Sequence, residues 1–297
     1  MAITVDDIAR ADALADAMRH QVSPFFTRTP QAQDASCPWH LVTLAPEGTQ
    51  ERAAVAWIVA NAIMRHRSGR STAYDLWRTA VATGKPLDQV GVSRVSVCVK
   101  PVFGLPTNPS NAADHVPGHV GEWLWYLFMR EEDTSGRTVA FLEPPSWSVT
   151  EGGGDGFVVH RLAGEPDASL LFRLWEIKKF TGTGSVSGTI TDAASQLKDR
   201  GLEYLAKLCS SHADEPGDVG QLMSQLVELW IQADPSGGAG VSVSTNTASL
   251  PKRSAFTQVS NYLPDHRHPG QLQGLIVAVQ DFAKFADLVK EHLWSAL

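Results

Sequence analysis

Apolar and polar positions change period several times along the chain, and each change predicts an element. Residues 170–180, Leu-Leu-Phe-Arg-Leu-Trp-Glu-Ile-Lys-Lys-Phe, form a mostly apolar run that reads as a buried strand. The glycine-rich turn Gly152-Gly-Gly-Asp155-Gly156 leads into a second apolar run ending at Leu162. The two runs are about a hairpin's length apart, which predicts neighbouring antiparallel strands. Residues 118–130 are apolar nearly all round, the pattern of a buried helix. Residues 241–245 alternate as a strand, and residues 272–279 form an apolar strand. Helical spacing marks residues 5–21, with Asp6 and Asp7 at the start, and residues 49–67, apolar at Ala54, Trp57, Ile58, Ala60, Ile63 and Met64. It continues over about 71–83, 191–209, 215–232 (Leu222, Leu226, Leu229 and Trp230 inward) and 281–296. Val92, Val95 and Val97, interleaved with Arg94 and Lys100, predict a strand over 92–102. Residues 23–48, with Pro24, Pro30, Pro38 and Pro46, and residues 250–269 are expected to be loop-rich.

From residue 115 onward the expected order is helix, hairpin, strand, helix, helix, strand, strand, helix. That order predicts an α/β fold, a mixed β-sheet flanked by helices. Residues 1–110 are expected to form an N-terminal, mainly helical region serving partner binding or regulation, and residues 111–297 the second domain. The boundary falls in the Pro-, Asn- and Gly-rich stretch 101–117.

Composition narrows the function. The chain has 297 residues, 43% hydrophobic and 19% charged, which is globular and leaves no case for disorder. The net charge of −7 matters more, because proteins that grip nucleic acid unaided usually present a basic face. Any such grip must come from a local patch or a partner. Candidate patches are Arg65, His66, Arg67 and Arg70, which a solvated helix end also explains, then Lys198, Arg200 and Lys207, then Lys252, Arg253, His266, Arg267 and His268. Cys37, Cys98 and Cys209 are too few and too scattered for a disulfide framework or a thiolate metal site, which fits a reducing cytoplasm. No signal peptide and no membrane-spanning run is expected. His115 and His119 have the i, i+4 spacing of a zinc pair, but Pro117 lies between them and no HExxH follows. The Gly182–Gly188 loop lacks both the GxGxxG and the GK[ST] pattern, and no GxSxG occurs.

Four charged residues carry the chemistry. Glu176 and Lys178 are two apart on a strand, so they leave the same face. Charges on a core strand are costly to bury, and an ion pair at a strand end is the common explanation. Asp155 sits in the glycine turn, close to Glu176 if the hairpin forms. Glu122 lies near the first turn of its helix, where the dipole favours a carboxylate.

In this order Glu122, Asp155, Glu176 and Lys178, with Gln196 in the following helix, resemble the PD-(D/E)xK nuclease superfamily. More narrowly, His119-Val-Gly-Glu122, Gly154-Asp155-Gly156 and Trp175-Glu-Ile-Lys178 look like the HamA-type nuclease subunits of Hachiman anti-phage defence, over roughly residues 115–210. The resemblance implies a restriction-endonuclease-like core and catalytic roles for Glu122, Asp155, Glu176, Lys178 and Gln196. It implies Mg²⁺, with Mn²⁺ able to substitute, held by Asp155 and Glu176 and by Glu122 directly or through a water. Lys178 would orient the attacking water or stabilise the phosphate, and next to a metal its pKa would fall. Gln196 would bond a ligand or the nucleic-acid backbone; an ordinary exposed helix glutamine is the equal alternative. DNA is the implied substrate and a helicase-like protein the implied partner, which would explain the acidic net charge. Two alternatives stand beside this: a non-catalytic interaction subunit of the same fold, and a nucleotide-binding enzyme using the 182–188 loop.

Overall fold

The computed structural model describes residues 3–31, 36–44, 49–108, 115–132, 136–147, 155–163, 169–251 and 254–297. Among them are ten α-helices and seven strands. In chain order these are α1 (Val5–Ala17), β1 (Phe26–Gln31), β2 (Trp39–Leu44), α2 (Thr49–Ser68), α3 (Ala73–Thr83), α4 (Gln89–Phe103), α5 (His115–Arg130), β3 (Arg137–Leu142), β4 (Gly156–Leu162), β5 (Leu170–Phe180), α6 (Ser187–Ser211), α7 (Gly217–Met223), α8 (Leu226–Ile231), β6 (Gly237–Asn246), α9 (Thr257–Tyr262), β7 (Leu272–Val279) and α10 (Phe282–Trp294).

The strands form one mixed sheet in the order β1-β2-β7-β6-β5-β4-β3. The central β2, β7, β6 and β5 run parallel, and an antiparallel pair closes each side, β1 with β2 and β5 with β4 and β3. The α/β expectation therefore holds. The expected β4–β5 hairpin forms, with Gly156 opposite Trp175.

Alternation sorts the strand residues between two cores. Val158, Trp175, Ile177, Leu275 and Val277 join the core built by α1 to α5 and α10. Phe157, Val159, Phe172, Leu174, Val241 and Ile276 join the core under α6 to α9. Helices thus cover both faces, as buried parallel strands require. The two N-terminal strands extend the same sheet, and α1 to α4 share one core with α5 and α10.

Four local expectations are corrected. Residues 92–102 are helical: α4 buries Gly91, Val95, Cys98, Val99 and Val102, a 3.6-residue stripe. Asp88 caps it, accepting from the Gly91 amide at 2.7 Å, and Gly104 ends it at φ 65°. The loop-rich 23–48 stretch contains the β1–β2 hairpin, where Pro30 is tolerated because β1 is an edge strand. Residues 215–232 hold two short helices, α7 and α8, separated at Ser224 and Gln225. The 250–269 stretch carries the short helix α9, and its Lys252 and Arg253 lie outside the described residues. No described helix is long and apolar enough to cross a membrane.

Candidate functional site

The site lies where β4 begins and β5 runs on past the edge of the hairpin. Phe172 and Leu174 point toward α6, so by alternation Glu176 and Lys178 do too. Asp155 immediately precedes β4 and has the parity of Phe157 and Val159, toward the same face. Its Oδ2 accepts the Ile177 amide hydrogen at 3.0 Å, which ties the turn to the strand carrying the other two groups. Lys178 Nζ lies 2.5 Å from Glu176 Oε1 and 3.9 Å from Asp155 Oδ2. The Asp155, Glu176 and Lys178 side chains are thus brought together, as the motif spacing predicts.

Burial sets the electrostatics. Glu176 is completely buried; its Oε1 faces Lys178, and its carboxyl group is hydrogen-bonded to that of Asp155. Burial pushes the Asp155 carboxyl well above the usual carboxylate range, and the charges of Glu176 and Glu122 push the same way, against Lys178. Burial likewise raises Glu176, with the Lys178 ammonium opposing it. Burial alone would lower Lys178, but the Glu176 and Asp155 carboxylates outweigh it and raise its pKa. Lys178 is therefore a held ammonium among these side chains, a donor and a charge.

Glu122 comes from α5. The helix begins at His115, so Glu122 lies two turns in, not in the first turn, and the helix dipole does not account for it. Its Oε2 lies 3.3 Å from Nδ1 of the buried His119, and its charge reaches Asp155. Burial lowers the His119 pKa, partly opposed by Glu122. His115, the other member of the i, i+4 pair, is exposed at the helix start.

Gln196 stands on α6, half-buried, and its Nε2 donates to the Tyr204 hydroxyl at 2.9 Å. Tyr204 is buried, and burial raises its pKa, with the Glu176 charge adding to the effect. Arg200 lies between them on the helix. Its guanidinium sits 4.9 Å over the Tyr204 ring, pairs with Glu203 at 3.3 Å, and acts electrostatically on Glu176. Gln196, Arg200 and Tyr204 are four residues apart and share one helix face. Arg200 is legible in the sequence only as a basic residue and Tyr204 not at all; the i+4 and i+8 spacing from Gln196 is the available signal.

The chemistry of the donors suits a hard divalent cation. Mg²⁺ takes one or two carboxylates and keeps several waters. A cation between Asp155 and Glu176 would offset the repulsion of their charges. Glu122, Asp155 and Glu176 do not all bring a ligand oxygen within 4.8 Å of one another. The described group that does is Asp12, Asp16 and His20. Its atoms are already engaged: Asp12 accepts from Trp57 Nε1 at 2.7 Å and from Arg78, and Asp16 pairs with His20 at 2.6 Å. The comparisons add nothing to the geometry: no family model matches the sequence, and no curated protein matches it.

Proposed function

We propose that this chain is a metal-dependent nuclease with a restriction-endonuclease-like core, cutting DNA phosphodiester bonds. The observation that carries this is the trio on one sheet face. Glu176 is fully buried and Asp155 half-buried, their carboxyl groups are joined by a side-chain hydrogen bond, and Lys178 is the cation beside them. A structural ion pair would need only one carboxylate per ammonium. Two carboxylates repelling each other in a buried place are costly to folding. Function is the usual reason such strain is kept.

When bound, Mg²⁺ or Mn²⁺ would neutralise the phosphate and make water more nucleophilic. Asp155 and Glu176 are the residues that would hold it, with Glu122 behind them. The Lys178 ammonium would donate to the phosphate oxygen that gains charge, in a site where burial strengthens each interaction. Its place beside the Glu176 and Asp155 carboxylates fits electrostatic stabilisation. The exposed Arg200 of α6 would meet the nucleic-acid backbone, with Gln196 bonded to the buried Tyr204 behind it.

By resemblance, the biological setting would be anti-phage defence in the cytoplasm, beside a helicase-like partner. The acidic net charge agrees with a partner supplying part of the DNA grip. The 2.5 Å Lys178–Glu176 pair favours a second reading, a non-catalytic subunit in which the cluster is structural. Plasmid and linear-DNA cleavage with Mg²⁺, Mn²⁺ and EDTA separates the two. Metal-dependent cutting should vanish in Glu176→Ala and Lys178→Ala. Cutting that survives both substitutions would remove this site, and no cutting by the wild type, even with its partner, would leave the structural role.

A further inference from the structure

We propose that His119 and Arg67 are positioning residues that aim the Glu122 carboxylate, so that the N-terminal helices form the rear wall of the site. This rests on the metal-dependent reading above. His119 Nε2 lies 2.9 Å from Trp123 Nε1 and 3.0 Å from Arg67 Nη2. An indole N–H and a guanidinium can only donate. Nε2 must therefore present its lone pair, and the single ring hydrogen is on Nδ1. Nδ1 is the atom 3.3 Å from Glu122 Oε2. The other tautomer would turn a lone pair toward a carboxylate. Nδ1 makes no well-aligned hydrogen bond, so the link to Glu122 is a donor held beside a carboxylate charge.

Arg67 is set by the fold. It lies at the end of α2 and is 4% exposed. Nη1 donates to the Cys98 carbonyl on α4 at 2.9 Å, and Nη2 donates to the Trp147 carbonyl at 2.9 Å as well as to His119. The guanidinium also packs over the Phe103 and Trp147 rings. Four separate segments therefore meet at one cation, and its outlet toward the site is the imidazole. His119, Glu122 and Trp123 are at i, i+3 and i+4, so a single face of α5 carries the whole relay. Outer groups of this kind fix the tautomer and direction of a ligand, and losing one typically weakens metal affinity 10–100-fold.

The test is Mn²⁺ affinity of the full chain by calorimetry, with thermal unfolding measured in parallel. An asparagine amide can stand at the Nδ1 position, whereas a glutamine amide reaches the Nε2 position. His119→Gln and Glu122→Gln should each weaken Mn²⁺ binding about 10-fold, and the double variant no further, because both break one link. His119→Asn should stay within about threefold of wild type. Arg67→Met should fall with His119→Gln. The positioning role is overturned if His119→Gln binds as wild type, if the two losses add, or if His119→Asn and His119→Gln are equally weakened. Glu176→Ala marks the other failure: if it binds Mn²⁺ as wild type, or the wild type binds none, the metal site itself is wrong and this role falls with it.

Discussion

Glu132 and Arg28 join opposite rims of the sheet. Glu132 Oε1, two residues past α5, lies 3.3 Å from Arg28 Nη2 on β1 and 4.0 Å from Arg137 Nη2 on β3. Those are the two outermost strands, so the sheet curls until both edges share one carboxylate. His160 of β4 lies 3.8 Å from the other oxygen, and the buried Arg173 of β5 feels the same charge. The Glu132 side chain is 3% exposed and that of Arg28 41%. Removing the carboxylate leaves Arg173 buried without its counter-charge. Glu132→Gln should cost about 3 kcal/mol in urea unfolding, and Arg28→Ala, at the wet end of the pair, about 1 kcal/mol or less. Equal losses would mean that burial of Glu132 is not what matters.

Acid should unfold the protein in a defined window. Burial holds His160 and His292 at about 4, against an ordinary histidine value of 6.5. Above pH 6.5 both states are neutral and neither residue contributes. Between pH 6.5 and 4 the unfolded chain binds protons that the folded chain refuses, so stability rises with pH and is lost as pH falls. Each histidine can account for roughly 2–3 kcal/mol by pH 4. The urea midpoint should be flat above pH 7 and decline below 6.5. His292→Phe, beside the Trp57 ring, should flatten part of that decline. An unchanged slope would assign the acid sensitivity to the carboxylates instead.

The parts of the fold legible from sequence were those whose side-chain period agreed with their burial. Residues 170–180 and 272–279 are apolar because β5 and β7 are covered on both faces. The α4 valines misled because local β-propensity and helical burial pulled apart, and packing against α3 and α5 won. The capping signals Asp88 and Gly104 were there to be weighed. The proline-rich β1–β2 hairpin was hidden because an edge strand tolerates Pro30. Asp155, Glu176 and Lys178 could be grouped from spacing alone, since two-residue alternation and one hairpin bring them together. Arg67 could not: its partners lie 31, 52 and 80 residues away, and no local period encodes such contacts.

Gly156 sits between the site and the core. A Cβ there would meet the Trp125 indole at 2.5 Å, so alanine must displace either the ring or the start of β4. Asp155 is the next residue and would move with the strand. Gly156→Ala should cost about 1–3 kcal/mol and lower cleavage by about 10-fold or more. Gly188, on α6 with open space around its Cβ position, is the control. Gly188→Ala should be stabilising by about 0.5–1 kcal/mol with cleavage retained. Full activity in Gly156→Ala would show that the indole yields without moving Asp155.

Metal should also register as stability, with signs that identify the ligands. A site that binds only the folded chain adds about 2.7 kcal/mol when free Mn²⁺ is 100 times its dissociation constant, a rise of roughly 4 °C for a chain of this size. Asp155→Asn and Glu176→Gln remove one of two carboxylates that repel each other. Both should melt at or above the wild-type temperature without metal and lose the Mn²⁺ shift. Lys178→Met should do the reverse: without the ammonium 2.5 Å from Glu176, the metal-free protein is less stable, and a cation has more repulsion to relieve. Its Mn²⁺ shift should equal or exceed that of wild type, although cleavage is lost. Asp12→Asn serves as the outside control, because Asp12 belongs to the other convergent group. A Mn²⁺ shift that survives Asp155→Asn and Glu176→Gln but disappears in Asp12→Asn would move the metal to α1 and leave the sheet face without one.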